Sequence, residues 1–219
     1  MKRRVFLCSL GLSTLAVTGC CRGDSRATVE VPDARSGAGE SREDLATLPK
    51  GPRVVIVRDD SWKSEPTVES LGMGLAAGIV RLTGASQPAE AWQSLFRPTE
   101  NVAVKVNCLA GPALSSSPAL ATAVTKELVA AGHERGRLWV YDRQSSELAA
   151  CGYERCGGGD EVKCLGTDEV GYDDEVTVTG EVGTWFSLIV SQWADALINV
   201  PVAKDHDMSG ISGALKNHF

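Results

Sequence analysis

Lys204 and His206 stand two residues apart directly after the apolar stretch "ALINVPVA", residues 196–203. Together they supply a fixed positive charge and a group that can give or take a proton near neutral pH. The same pattern recurs along the chain. "VAVKVN" ends in Lys105 and Asn107, "RLWVYDR" in Asp142 and Arg143, and "RVVIVRDD" in Asp59 and Asp60. Lysines would attract an anion, asparagines would orient it by hydrogen bonds, and Asp205 and Asp142 would partly offset the repulsion between lysines in a crevice of low dielectric. Further on, Ser209 and Gly210 precede a segment expected to be helical, whose free N–H groups could hold an anion. Lys216 lies six residues past Gly210, about 9 Å along such a helix, and would lean back toward its start. The candidate set is therefore His206 and Lys204 for catalysis, with Lys105, Asn107, Lys216, Asn217, Asp142, Ser209 and Gly210 for ligand binding. The plainer alternative is that strand ends are exposed and these charges are simply solvated.

Seven cysteines offer a second kind of chemistry. Cys108, Cys151, Cys156 and Cys164 remain once Cys8, Cys20 and Cys21 are set aside near the N-terminus. "CGYERCGGGDEVKC" has the spacing C-x4-C-x7-C. That matches neither the close cysteine pairs of zinc ribbons nor the usual ferredoxin run. In an oxidising compartment four cysteines allow three pairings, and the spacing does not choose among them. One disulfide, unpaired thiols, and a metal or iron–sulfur cluster all stay open.

Such residues need elements to hold them. "RVVIVRDD" reads as a β-branched strand, and Val68, Leu71, Leu75, Ile79 and Leu82 mark one face of a helix over residues 67–83. A short helix is expected over 89–96, closed by Pro98. "NVAVKVN" is the next strand. Ser117 then serves as N-cap with Pro118 at the first helical position, opening a helix that buries Leu120, Val124 and Leu128 and stops near Gly132. His133, just past that end, reads as a surface residue. "RLWVYDR" is a third strand, "SELAACGY" a short helix and "VKCLGTD" a fourth strand. Trp185, Leu188, Ile189 and Trp193 predict a helical stripe before the strand "DALINVPVAK". Strands alternating with helices predict an α/β fold of three layers, a mainly parallel sheet with helices on both faces. In such sheets ligands bind outside the carboxyl ends of the strands, where the polar residues above collect. "GMGLAAG" (72–78) lacks the spacing of a dinucleotide fingerprint and lies within a helix pattern, so it reads as close helix–sheet packing.

The N-terminus is written differently. "MKRRVFLCSLGLSTLAVTGC" has three basic residues and then an apolar run, Val5 to Val17, too short to cross a bilayer as a helix. Its length suits a signal peptide over residues 1–19. Arg3 and Arg4 before Val5, Phe6 and Leu7 resemble a twin-arginine export signal, with a general secretory signal as the alternative. "VTGC" resembles a lipobox in which Cys20 is acylated, which predicts export to the cell envelope and a lipid anchor in a membrane. Residues 20–51, rich in Gly, Ser, Pro and mixed charge, predict a flexible tether. The α/β domain would then occupy 52–219. Net charge is −6 over 219 residues, so nucleic-acid binding has no electrostatic footprint. No Walker-type phosphate loop and no repeat is visible.

"VAVKVNCLAGPALSSSPALATAVTKELVAAG" and "ADALINVPVAKDHDMSGISGALKNHF" resemble the bacterial and archaeal family known as domain of unknown function 362. Its Lys-x-Asn after a strand corresponds to Lys105 and Asn107. Its Thr-His-Pro-Glu at the start of the next helix corresponds to Ser116, Ser117, Pro118 and Ala119. Its late Lys-Thr-His and Leu-Lys-Asn correspond to Lys204, Asp205 and His206 and to Leu215, Lys216 and Asn217. Ser117 replaces the histidine of that pattern, so any role that histidine has in relatives does not carry over. The resemblance spans most of residues 53–219 and breaks off within its last block. Together with a short final helix lacking a C-cap, it predicts that the family domain continues past Phe219.

Three functions follow as expectations. The first is an enzyme-like domain that binds a small anionic molecule at the carboxyl edge of its sheet. The second is a redox or metal protein using His206, His218 and the Cys151–Cys164 segment. The third is a non-catalytic solute-binding lipoprotein. No particular cofactor is implied.

Overall fold

A computed structural model describes the chain over residues 53–64, 66–208, 210–214 and 216–218, and the backbone of three strands nearer the N-terminus. Those three are β1 (Arg4–Gly11), β2 (Thr14–Gly19) and β3 (Ala27–Glu30). The expected lipidation residue Cys20 and most of the expected tether lie outside the described residues.

From β4 (Arg53–Arg58) onward the chain alternates as its sequence predicts. Helices α1 (Val68–Thr83) and α2 (Pro88–Leu95) precede β5 (Val102–Lys105). Then come α3 (Pro118–Ala130), β6 (Leu138–Asp142), α4 (Ser145–Ala150), β7 (Lys163–Gly166) and the single turn α5 (Thr167–Val170). A small hairpin of β8 (Thr177–Thr179) and β9 (Val182–Thr184) leads to β10 (Ala196–Asn199). β10, β5, β6 and β7 run parallel in that order, and the sheet continues through β1 and β2 to β4 and β3.

Strands β5, β6 and β7 step outward in one direction, whereas β10 returns to the other side of β5. The chain therefore reverses its winding between β5 and β10, which makes that gap a topological switch point. Both sheet faces are covered. On one, α1 to α4 bury Leu71, Leu75, Ile79, Leu120, Val124, Leu128 and Leu148 against Val102, Val104, Val140 and Ile198. On the other, Ala103, Trp139, Tyr141 and Leu197 pack against Ile189 and Val170. Alternation along β5 explains the split, because successive side chains point to opposite faces.

Several local devices agree with their sequence signals. Thr67 and Ser70 close a capping box at the start of α1. Within "GMGLAAG" it is Gly74 that serves packing: a Cβ there would stand 2.5 Å from the Trp62 ring. Pro118 takes the first position of α3 after Ser117, although the serine side chain makes no capping bond.

Three expectations are corrected. His133 is buried, not on the surface. Gly132, at φ +97°, and His133 end α3 in a Schellman motif, with Gly132 N–H on Val129 O and His133 N–H on Leu128 O. In that motif the residue after the glycine folds back onto the last helical turn, which carries His133 inward. The Trp185–Trp193 stripe is only one π turn, Ile189–Trp193. Ile189 alone of the four is buried, and Trp193 leans on Trp139 with ring centres 5.5 Å apart. Finally, no helix begins at Gly210. Lys204–His206 and Gly210–Ser212 form an antiparallel hairpin, β11 and β12, and a 3-10 turn at Lys216–His218 follows. Gly210 has φ +73°, a hairpin conformation rather than a helical one.

Candidate site at the switch point

β5 delivers Lys105 at its last position and Asn107 two residues later, just past the carboxyl end of the sheet. Asp142 ends the neighbouring strand β6, and Asn199 ends β10. Lys105 pairs with Asn199 across the parallel register and with Tyr141 on its other side. The hairpin β11–β12 and the 3-10 turn then fold back over these strand ends. They bring Lys204, Lys216 and Asn217 to the same place.

The resulting network is continuous. Lys105 Nζ donates to Asp142 Oδ1 at 2.7 Å, to Val106 O at 2.7 Å and to Asn217 Oδ1 at 3.3 Å. Asn107 Nδ2 donates to the same Asn217 oxygen at 3.0 Å. Lys204 Nζ donates to Asn107 Oδ1 at 3.0 Å and to Leu114 O at 3.0 Å. Lys105 and Lys204 are thus joined through two asparagines in one network. Asn217 Nδ2 also donates to Asn199 Oδ1 at 2.7 Å, and Asn199 Nδ2 donates to Ala214 O at 2.5 Å. This last pair ties the returning tail to the floor of the sheet.

Asp142 is fully engaged within the protein. Oδ1 accepts from Lys105 and from the Arg143 N–H at 2.8 Å, while Oδ2 accepts from the Cys108 N–H at 2.6 Å. Its side chain is 6% exposed and that of Lys105 14%. Asp142 therefore neutralises Lys105 and fixes the loop after β5, and has little capacity left for a ligand. Behind Asn107, Ser116 Oγ accepts its N–H at 2.9 Å and donates to Val200 O. Tyr153 OH donates to Ser116 O at 2.8 Å.

Among the described residues neither Lys204 nor Lys216 forms an ion pair with a carboxylate. Burial holds the Lys204 ammonium below the usual lysine range, and the positive charge of Lys216 adds to this. The negative charge of Asp142 offsets part of this.

Of the residues nominated from sequence, Lys105, Asn107, Asp142, Lys204 and Asn217 are joined by hydrogen bonds, and Lys216 is close enough to Lys204 to act on its charge. His206 stands on β11 two residues from Lys204, so both lie on one side of the hairpin. Its Nδ1 accepts the Met208 N–H at 3.3 Å, which leaves the neutral ring's proton on Nε2. Gly210 faces His206 across the hairpin and contributes shape only. Ser209 is outside the described residues. Asn199 and Ser116 were not nominated. Asn199 is fully buried, and a lone amide between Ile198 and Val200 is the signal that marks it. Among the described residues no group of three His, Cys, Asp or Glu side chains converges as a metal set would.

The chain is thus an α/β domain with a polar network at the switch point of its parallel strands. More specifically, the chain belongs to the family termed domain of unknown function (DUF362), whose model matches residues 102–219. The match begins at β5 and contains every strand end of the network. No curated protein and no solved structure matches the chain.

Proposed function

We propose that this domain binds a small anionic molecule, such as a phosphate or carboxylate compound, in the crevice between the carboxyl ends of β5 and β10. The observation that carries the reading is the pair Lys204 and Lys216, two cations with no carboxylate partner among the described residues at a switch point. A bound anion would supply the missing charge, Lys204 and Lys216 would hold it, and the second amide hydrogen of Asn107 would orient it, while Asn217, buried and bonded to Asn199 and Lys105, belongs to the frame. Lys105 belongs to the frame of the site, since Asp142 already neutralises it. His206, two residues from Lys204 on β11, is the candidate proton carrier and makes the reading enzyme-like. On this proposal the domain works outside the cytoplasm, held to a membrane by a lipid on Cys20.

Thermal unfolding in inorganic phosphate tests the anion, with chloride at equal ionic strength as reference. A ligand that binds only the folded state stabilises it by about 2.7 kcal/mol at a hundred times its Kd. The wild-type Tm should rise with phosphate, and the rise should vanish in Lys204→Met and Lys216→Met. Lys204→Met should also keep or slightly raise stability in chloride. A lysine whose folded pKa is lowered carries a penalty at every pH where it is charged, and methionine removes it. Equal phosphate shifts in wild type and both variants would refute the site.

A further inference from the structure

Cys156 and Cys164 lie directly opposite each other in an isolated antiparallel bridge against the edge strand β7. The two residues exchange both backbone bonds: Cys156 N–H to Cys164 O at 3.1 Å, and Cys164 N–H to Cys156 O at 2.7 Å. Opposed residues of a hydrogen-bonded antiparallel pair have Cα atoms about 5.5 Å apart and side chains on the same face. That spacing falls within the range a disulfide spans, about 4.4–6.8 Å. Cys164 is buried in the core on the α3 side of the sheet, whereas Cys156 is partly exposed, its Sγ donating to Gly158 O at 3.7 Å. A groove of about 520 Å³ between α3 and the segment 152–162 opens onto Cys164, with Tyr153 and Val140 on its walls.

We propose that Cys156 and Cys164 form a reversible disulfide that closes by exchange with a disulfide-bearing oxidant. The partly exposed Cys156 thiolate attacks one sulfur of the oxidant, whose S–S bond breaks. One half leaves as a thiolate and takes up a proton. Cys164 then loses its proton to water and attacks the Cys156 sulfur, expelling the second half, which is protonated in turn. Two protein thiols are oxidised to one disulfide, and one oxidant disulfide is reduced to two thiols. Burial, with Cys156 nearby, pushes the Cys164 thiol up to about 11, which suits the resolving rather than the attacking role.

Cys108 and Cys151 are a separate pair. Both are buried, and Cys151 Sγ donates to Cys108 O at 3.5 Å. Burial first, then the negative charge of Asp142, pushes the Cys108 thiol far up. Buried away from an oxidant, this pair is expected to stay reduced. When closed, the Cys156–Cys164 bond would pin the segment carrying Tyr153, whose hydroxyl holds Ser116 behind Asn107.

Peptide mapping of the full chain tests the pairing. The protein is equilibrated with oxidised glutathione, alkylated and digested with trypsin. Arg143, Arg155 and Lys163 place Cys108, Cys151, Cys156 and Cys164 on four different peptides. The expected product links the peptide starting at Cys156 to the one starting at Cys164. Cys108 and Cys151 should be alkylated only after denaturation. The link should disappear in Cys156→Ser, a partly exposed position where serine should not disturb folding, and return to free thiols with reduced glutathione in the wild type. Free Cys156 in the oxidised wild type, or a Cys108–Cys151 link in its place, overturns the proposal.

Discussion

Asp142 shows how one residue can be essential to a site without facing its ligand. Its two oxygens accept from an ammonium and two backbone N–H groups, and it is almost fully buried. Asp142→Asn would turn an amide N–H₂ toward one set of these donors and leave Lys105 buried without its counter-charge. Breaking a buried pair from one side costs about 3–5 kcal/mol. Urea unfolding should show a loss of that order, and a loss under about 1 kcal/mol would mean that the pair is not the frame of the site. His133 makes a second prediction. Its Nδ1 donates to the Leu128 carbonyl, and burial lowers its pKa from the ordinary histidine value. Below about pH 6.5 the unfolded chain then binds a proton that the folded chain resists. Its contribution to stability should be steady above that pH and fall as pH drops toward the lowered folded pKa. His133→Gln should flatten this part of the profile between pH 7 and 5; an unchanged slope would place the titration elsewhere.

At the scale of elements, Gly74 lets α1 close onto Trp62, in the turn that follows β4. A Cβ there would meet the Trp62 ring at 2.5 Å, and that ring is buried with its Nε1 donating to Ser70 Oγ. Gly74→Ala should cost about 1–3 kcal/mol by overpacking, despite alanine's better helix propensity. Trp62→Leu in the same chain should recover part of that loss, and a double-mutant cycle with no coupling would disprove the contact. Most elements were legible in the sequence because their signals are local. Val54 to Val57 and Val102 to Val104 are β-branched or apolar runs, and α1 and α3 carry their stripe at helical spacing. The candidate site was legible in the same way, since Lys105, Asn107, Asp142 and Lys204 each end an apolar run. The tail was not. "SGISGALKN" holds two glycines and no stripe, and its hairpin forms by pairing and by bonds from Asn217 and Ala214 to Asn199, contacts distant in sequence. His133 was misplaced because a Schellman motif, not the helical period, decides where the residue after Gly132 points.

At the scale of the whole molecule, charge and lipid make opposite demands. Net charge is −6, and loss of residues 1–19 would remove Lys2, Arg3 and Arg4 and no acid, leaving −9; it would also take β1 and β2 out of the sheet and leave β10 an edge strand beside β5. An anionic protein gains nothing from an anionic lipid surface, and no described helix is long and apolar enough to cross a membrane. Attachment would therefore have to be covalent. A single acyl chain holds a protein only marginally, whereas two anchor it stably, which is why diacylation of Cys20 is the proposed means. The wild-type protein should fractionate with membranes and partition into detergent after export. Cys20→Ala should abolish acyl labelling and leave the protein either soluble outside the cytoplasm or unprocessed. Replacing Arg3 and Arg4 together by lysine should stop export if the twin-arginine route is used, and leave it intact if the general secretory route is used. Wild-type protein that stays in the cytoplasmic fraction, or a Cys20→Ala variant with unchanged membrane attachment and mobility, would remove the basis for a lipid anchor, and with it the expectation that the thiols of the domain meet an oxidising compartment.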